Sequence, residues 1–215
     1  MTRKTRFTCA ALLATLMTAA IAQADVIVSY NFNSASGSPT TMDPLVTATA
    51  VTAGPNVNNS LVFTSSQAQI TNTDYEETKA LAHNAGQYIT FSVEANAGKL
   101  LNLTDLKYKH SRTFSAPRRL AVFASLDGGA FSEIHDVGNG NESILPEFTA
   151  SLDSSTFDSV GEIVFRFVFY DDNTSPGLAR FDDIILNGAV IPEPASLALI
   201  GLAGLLMLPR RKRVG

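Results

Sequence analysis

Along most of the 215-residue chain, apolar and polar positions alternate one for one. In QYITFSVEA, Ile89, Phe91 and Val93 fall on one side; Tyr88, Thr90, Ser92 and Glu94 fall on the other. EIVFRFVFYDD places Ile163, Phe165, Phe167 and Phe169 on one face and Val164, Arg166, Val168 and Tyr170 on the opposite one. RRLAVFASLDGG sets Leu120, Val122, Ala124 and Leu126 against Ala121, Phe123 and Ser125. A period of two, rich in aromatic and β-branched residues, is the pattern of a half-buried strand. The same reading predicts strands at 26–32, 45–53, 61–64, 68–71, 99–110, 131–137, 148–152 and 181–186. The breakers SASGSPT, TAGPNVNNS, DGG, GNGN and NTSPG stand between them. In LDGGAF, Asp127-Gly128 or Gly128-Gly129 supplies the positive φ that a two-residue hairpin turn requires.

One segment departs from this period. DYEETKALAHNAG predicts two helical turns, with Asp74 as cap, Glu77 completing a capping box and Gly86 as the stop. The remainder has no amphipathic helix and no internal repeat, which argues against a propeller or solenoid. About ten short strands joined by polar turns predict an all-β fold, a two-sheet β-sandwich of jelly-roll type. With 13 Phe and no Trp, phenylalanine must fill the core.

The two ends follow a different logic. Residues 195–208 carry no charge. As a helix they would reach roughly 21 Å, short of the ~30 Å bilayer core, but cationic side chains can snorkel across the deficit. The cations are there: Arg210, Arg211, Lys212 and Arg213 follow at once. A buried helix of a soluble domain would show a polar face, and this run shows none. The expectation is a short C-terminal transmembrane helix, its basic flank on the cytoplasmic side and the preceding chain outside. At the other end Arg3, Lys4 and Arg6 precede an apolar run over 7–22, closed by Ala22-Gln23-Ala24. This is the layout of a helical signal peptide with cleavage after Ala24. Its removal would take Cys9, the only cysteine, and leave Asp25 first. The chain thus divides into a signal peptide at 1–24, a sandwich at 25–190 and a C-terminal segment at 191–215.

Pro192-Glu193-Pro194, then the apolar run, then Arg210, Arg211, Lys212 and Arg213 at the extreme C-terminus resembles the PEP-CTERM sorting signal of Gram-negative bacteria. The resemblance covers about the last 25 residues. It implies processing by an exosortase, a membrane-embedded cysteine protease or transpeptidase, after a transient stay at the inner membrane. It also implies a final place at the cell surface or in an extracellular matrix, in organisms that make exopolysaccharide and biofilm. Physically, two prolines hold Glu193 extended, a form that a protease can grip.

Charge changes the picture of the central segment. The two terminal segments hold seven of the 16 Lys and Arg and one of the 20 Asp and Glu, so the centre carries a net charge of about −10 against −4 for the whole. Such a balance disfavours nucleic acid, whose phosphates need cations. It suits an extracellular domain or one that meets Ca²⁺. VIVSYNFN at the start, FASLDGGAF in the middle and RFVFYDD…GLARFDDIILNG at the end resemble secreted jelly rolls related to carbohydrate-binding modules and lectin-like sandwiches. That resemblance implies a last strand lying beside the first.

Catalytic chemistry is thin. His83, His110 and His135 have no metal-binding spacing and no nucleophile motif beside them, so solvated histidines are expected. Glu76-Glu77, Asp171-Asp172 and Asp182-Asp183 are carboxylate pairs, but strand neighbours point to opposite faces, so a sequence pair is not a catalytic pair and turn or edge charges are the expected reading. A structural calcium would draw on Asp25, Asn31 and Asn33 from the first strand with Asp182 or Asp183 from the last. A sugar platform would draw on Tyr75, Tyr88, Tyr108, Phe114 or Tyr170. The stretch KYKHSRTFSAPRR, with Tyr108, Arg112, Arg118 and Arg119, is a basic patch for an anionic polysaccharide, or a solvated edge strand. The sequence therefore predicts a non-enzymatic, exported structural or adhesive protein contacting exopolysaccharide. A secreted polysaccharide hydrolase and a ligand-free filler are the rivals.

Overall fold

The computed structural model describes residues 25–57, 61–72, 75–113, 116–138, 145–171 and 177–193. They form thirteen strands: β1 (Asp25–Tyr30), β2 (Thr41–Met42), β3 (Val46–Ala48), β4 (Thr52–Ala53), β5 (Leu61–Phe63), β6 (Ala68–Asn72), β7 (Tyr88–Ala95), β8 (Lys99–Arg112), β9 (Arg119–Leu126), β10 (Ser132–Gly138), β11 (Glu147–Ser151), β12 (Glu162–Tyr170) and β13 (Gly177–Pro192). Helix α1 (Lys79–Asn84) precedes β7. The expected signal peptide with Ala22 and Ala24, and the expected sorting segment from Pro194 through Arg210, Arg211, Lys212 and Arg213, lie outside the described residues. Among the described residues no helix is long and apolar enough to cross a membrane.

The strands make two antiparallel sheets facing each other, the jelly-roll-like sandwich that the alternation predicts. One sheet runs β11-β8-β13-β1-β2, with β6 also on β13 and β5 on β6; the other runs β10-β9-β12-β7-β3, with β4 also on β7. The last strand lies beside the first: Asp25 pairs with Gly188 and Tyr30 with Ile184. Phenylalanine fills the interior. Phe91, Phe165, Phe167, Phe169 and Phe181 are all essentially sealed from solvent. Phe181 from one sheet meets Phe167 and Phe169 from the other edge-on, at 5.6 and 5.5 Å between centroids, the offset geometry that aromatic quadrupoles favour.

The β9–β10 hairpin turns as the sequence requires: Asp127 (φ 49°) and Gly128 (φ 73°) both take the left-handed conformation. Asp127 Oδ1 accepts from the N–H groups of Gly161 and Glu162, tying the turn to β12. Gly188 sits where β13 crosses closest to β8 and β1. A Cβ there would strike the Asn102 carbonyl oxygen and come within 2.9 Å of Ile27 Cδ1 and 3.0 Å of Leu103 Cα.

Several expectations are corrected. The helix is capped at Thr78, whose Oγ1 accepts from the Leu81 N–H, so Glu77 precedes the cap and completes no capping box; Asp74 lies outside the described residues. Thr78 wins because its side chain lies one residue before the first apolar turn. Gly86, at φ 75°, does stop the helix. The single strand expected at 45–53 is broken into β3 and β4, and the strand expected at 181–186 runs sixteen residues, through Pro192. KYKHSR is not an edge strand: β8 has β11 on one side and β13 on the other. Its lysines are outward positions of a central strand.

Candidate functional site

The outer face of the six-stranded sheet carries chemistry that the core does not need. Strand register sets Phe123, Arg166, Thr90 and Thr52 side by side across β9, β12, β7 and β4. The next row, one pleat along, is Ser125, Val164 and Ser92. In the opposite direction come Ala121, Val168 and Tyr88, and here α1 lies across the sheet. Ala82 of α1 is fully buried against that small apolar cluster. Helical geometry then puts His83, the next residue, over Phe123.

Four side chains converge with Arg166. Its guanidinium carbon lies 3.8 Å from the Phe131 ring centre and 4.3 Å from that of Tyr88. His83 stacks on Phe123 at 4.8 Å with rings 22° apart and meets Phe131 at 5.3 Å. Arg166 Nη1 donates to His83 Nε2 at 3.1 Å, which requires that ring nitrogen to be unprotonated. Burial, and then the charge of Arg166, hold the His83 pKa below its ordinary value, consistent with that role. Arg166 Nε is buried with no hydrogen-bond partner. Among the described residues no carboxylate pairs with this guanidinium. The result is a half-buried cation with aromatic rings on its flat sides, each contact worth about 0.5–2 kcal/mol, beside a row of hydroxyls. Thr90 Oγ1 donates to the Phe165 carbonyl and Thr49 Oγ1 accepts from the Ser92 N–H, so the hydroxyls are fixed in place.

A polar network clamps α1 to this face. Asp136 of β10 accepts from Lys79 Nζ (2.9 Å), Arg119 Nη2 (2.9 Å) and Tyr170 Oη (2.7 Å). Lys79 also reaches Glu133 at 2.6 Å. Burial alone pushes the Asp136 carboxyl up, but the bonds from Lys79, Tyr170 and Arg119 outweigh it and hold the pKa below the ordinary carboxylate range.

Of the residues chosen from sequence, Tyr88 joins this site, flanking Arg166 with its ring largely buried; the others are placed elsewhere. Tyr108 is fully buried between the sheets; its hydroxyl meets His135 Nδ1 at 3.0 Å and its ring packs on Phe148 and Phe167, so it cannot act as a sugar platform. Tyr75 and Tyr170 are also buried, and Phe114 lies outside the described residues. Arg112 sits on the seven-stranded sheet, donating from Nη1 to the carbonyls of Thr113 and Ala116. Arg119 begins a strand of the other sheet and belongs to the Asp136 network; Arg118 beside it is exposed. Lys109 is neutralised by Asp183 at 2.5 Å. The stretch thus crosses from one sheet to the other rather than forming one basic patch. The histidines are not solvated: His110 is fully buried and His83 and His135 are half-buried.

The calcium set does not converge either. Asp25 pairs opposite Gly188, six residues from Asp182 along β13, which is about 20 Å of strand. Asn31 Oδ1 accepts from Thr40 Oγ1 and the Asn33 N–H, and Asp183 is on Lys109. A bulge at Asp183 (φ 47°) breaks the alternation that would send Asp182 and Asp183 to opposite faces. Asp182 accordingly feels its neighbour: burial, then the Asp183 charge, raises its pKa. Among the described residues no group of three or more His, Cys, Asp or Glu is placed to hold a metal ion.

No family model matches this chain, and no curated protein matches it. Solved structures do. A family 29 carbohydrate-binding module from Piromyces equi is similar over 79% of this chain and 92% of its own, at 10% identity and a TM-score of 0.41. A carbohydrate-binding module studied for specific mannan recognition covers 78% and 99%, at 11% identity and a TM-score of 0.40. The cleaved adhesin domain of Lys-gingipain from Porphyromonas gingivalis covers 77% and 99%, at 9% identity and a TM-score of 0.43.

Proposed function

We propose that this protein is an exported, non-catalytic sandwich that contacts glycans through the outer face of its six-stranded sheet. The observation that carries the reading is the half-buried Arg166, flanked by Tyr88 and Phe131 and lacking a carboxylate, next to fixed hydroxyls. Sugar rings present apolar C–H faces and hydroxyl edges together. An aromatic-flanked donor beside Thr and Ser hydroxyls suits both. The modules similar in shape are named for carbohydrate binding, which agrees with this reading without carrying it. Export rests on the sequence: a signal peptide ending at Ala24 and a PEP-CTERM-like segment at 191–215 with its motif at Pro192-Glu193-Pro194, processed by an exosortase-type enzyme. Exopolysaccharide of the surface matrix is the partner proposed.

The test is affinity electrophoresis of the purified protein in native gels containing neutral or acidic polysaccharides. Retardation in at least one, reduced about tenfold or more in affinity by Arg166→Ala and by Phe131→Ala, is expected. No retardation in any, or retardation that both variants keep, refutes the site. A hydrolase reading has one observation in its favour: Glu162 and Glu94 are direct partners across β12 and β7. Both reach solvent, Glu94 as an exposed residue and Glu162 half-buried. Release of reducing ends from the same polysaccharides, lost in Glu162→Gln, would establish that reading instead.

A further inference from the structure

The register of β1 and β13 fixes where the two apolar segments leave the fold. β1 begins at Asp25, opposite Gly188, and β13 runs on to Pro192, opposite Lys99. The Glu193 N–H then donates to the Gly98 carbonyl at 3.0 Å. Both ends therefore emerge at one end of the sandwich, beside the β7–β8 turn at residues 96–98. The opposite end holds the close of β8 at Arg112, the start of β9 at Arg119 and the end of β10 at Gly138. About 45 Å of strand separates the two.

The connections are short. Glu193 lies two residues before residue 195, a span of at most about 7 Å, and Asp25 lies three residues after residue 22, about 10 Å. The same end gathers apolar surface. Of the five exposed large hydrophobic side chains among the described residues, Val26, Met42 and Leu45 lie on β1 or the 41–45 segment beside it. Leu45 accepts the Asn96 N–H and so abuts the β7–β8 turn. Acidic groups there, Asp25, Asp43, Asp158 and Glu193, outnumber Lys99 and would repel anionic lipid, but covalent connections this short decide position against charge.

We infer that, while both apolar segments remain attached, the sandwich hangs from the lipid bilayer at two points. The Asp25/Pro192 end faces the membrane and the Arg119/Gly138 end faces away. This rests on the export reading above. Val26, Met42 and Leu45 then meet the lipid headgroup region, and the Arg166 face stands roughly perpendicular to the bilayer, open to matrix glycans even before processing.

The test uses the full uncleaved chain with Cys9→Ser, carrying a single cysteine at Ala97 or at Gly138. Ala97 is exposed in the turn, and a Cβ at Gly138 meets nothing within 4 Å, so both variants should keep the β-sheet circular dichroism of the parent. Each is labelled with a fluorophore and reconstituted in phosphatidylcholine vesicles bearing headgroup nitroxide. Co-flotation with the vesicles and at least threefold stronger quenching at position 97 than at 138 is the expected result. Co-flotation with equal or reversed quenching overturns the orientation alone. Failure to co-float overturns the membrane reading and this inference with it.

Discussion

Asp136→Asn isolates the clamp that holds α1, and with it His83, on the sheet. The change keeps the side chain's shape and removes its charge. Three donors lose a carboxylate: Lys79 Nζ, Arg119 Nη2 and Tyr170 Oη. The first two are on half-exposed side chains, at 36% and 43% exposure, where such pairs contribute about 0.2–1 kcal/mol each. Lys79 retains Glu133. Tyr170 is different, because it is 7% exposed and the carboxylate is the acceptor for its O–H. A buried hydroxyl that loses a charged acceptor costs about 1 kcal/mol or more. Together the loss is about 2 kcal/mol, or roughly 4–8 °C in a domain of this size.

Linkage sharpens the test. The folded-state pKa of Asp136 is lowered, so its contribution is complete above the ordinary carboxylate range. It is lost as pH falls through the folded pKa. Urea unfolding of wild type and variant at steps from pH 7 to pH 3 should show a gap of about 2 kcal/mol that begins to narrow below about pH 4. A gap under about 0.5 kcal/mol at pH 7 would refute the clamp. A full gap surviving to pH 3 would show that shape rather than charge was lost.

Two further outcomes follow from geometry already given. His83 and His135 both have lowered pKa values, burial being the main cause; His83 accepts from Arg166 through a ring nitrogen that must be unprotonated, and His135 shares a hydrogen bond with the Tyr108 hydroxyl. The unfolded chain therefore takes up these protons first, and stability present above about pH 6.5 falls as pH descends toward the folded values. The urea midpoint should be lower at pH 5.5 than at pH 7.5 and nearly level in a His83→Gln, His135→Gln double variant; a wild-type midpoint that is flat or rises on acidification contradicts this. Gly188→Ala forces its methyl against the Asn102 carbonyl and the Leu103 backbone of β8, which cannot yield cheaply, so a loss of about 1–3 kcal/mol is expected in the same assay, and an unchanged midpoint would refute the close approach.

The sandwich was legible because its strands carry their burial in their own period. Phe165, Phe167 and Phe169 declare one face of β12 without reference to any neighbour, and the DGG turn declares its own backbone. What failed was whatever depended on the other side of a contact. Tyr108 reads as an aromatic beside two lysines, yet it points inward, because β8 is a central strand whose pleat buries it. Asp182 and Asp183 read as opposite-facing, and a bulge that no local pattern announces undoes the alternation. Arg119 reads as part of a basic run until Asp136, seventeen residues on, folds back to neutralise it.

The Arg166 cluster shows the same division more finely. One signal was present: an arginine at an outward position of VFRFV, between Val164 and Val168, is a cation with apolar neighbours on its own strand. Its partners could not be read, because they come from three other elements. Tyr88 is set beside it by β7, Phe131 by the residue that precedes β10, and His83 by a helix whose position depends on the Lys79–Asp136 bond. The site is therefore as stable as that clamp. If Asp136→Asn loosens α1, His83 should leave Phe123 and free the Nη1 of Arg166, so glycan affinity must fall in the variant even though Asp136 itself lies outside the contact row. Affinity that is unchanged while α1 is demonstrably released, seen as faster amide exchange at Ala82 and His83, would mean that Arg166 and the rings suffice, and that the histidine is part of the helix's seat rather than of the binding face.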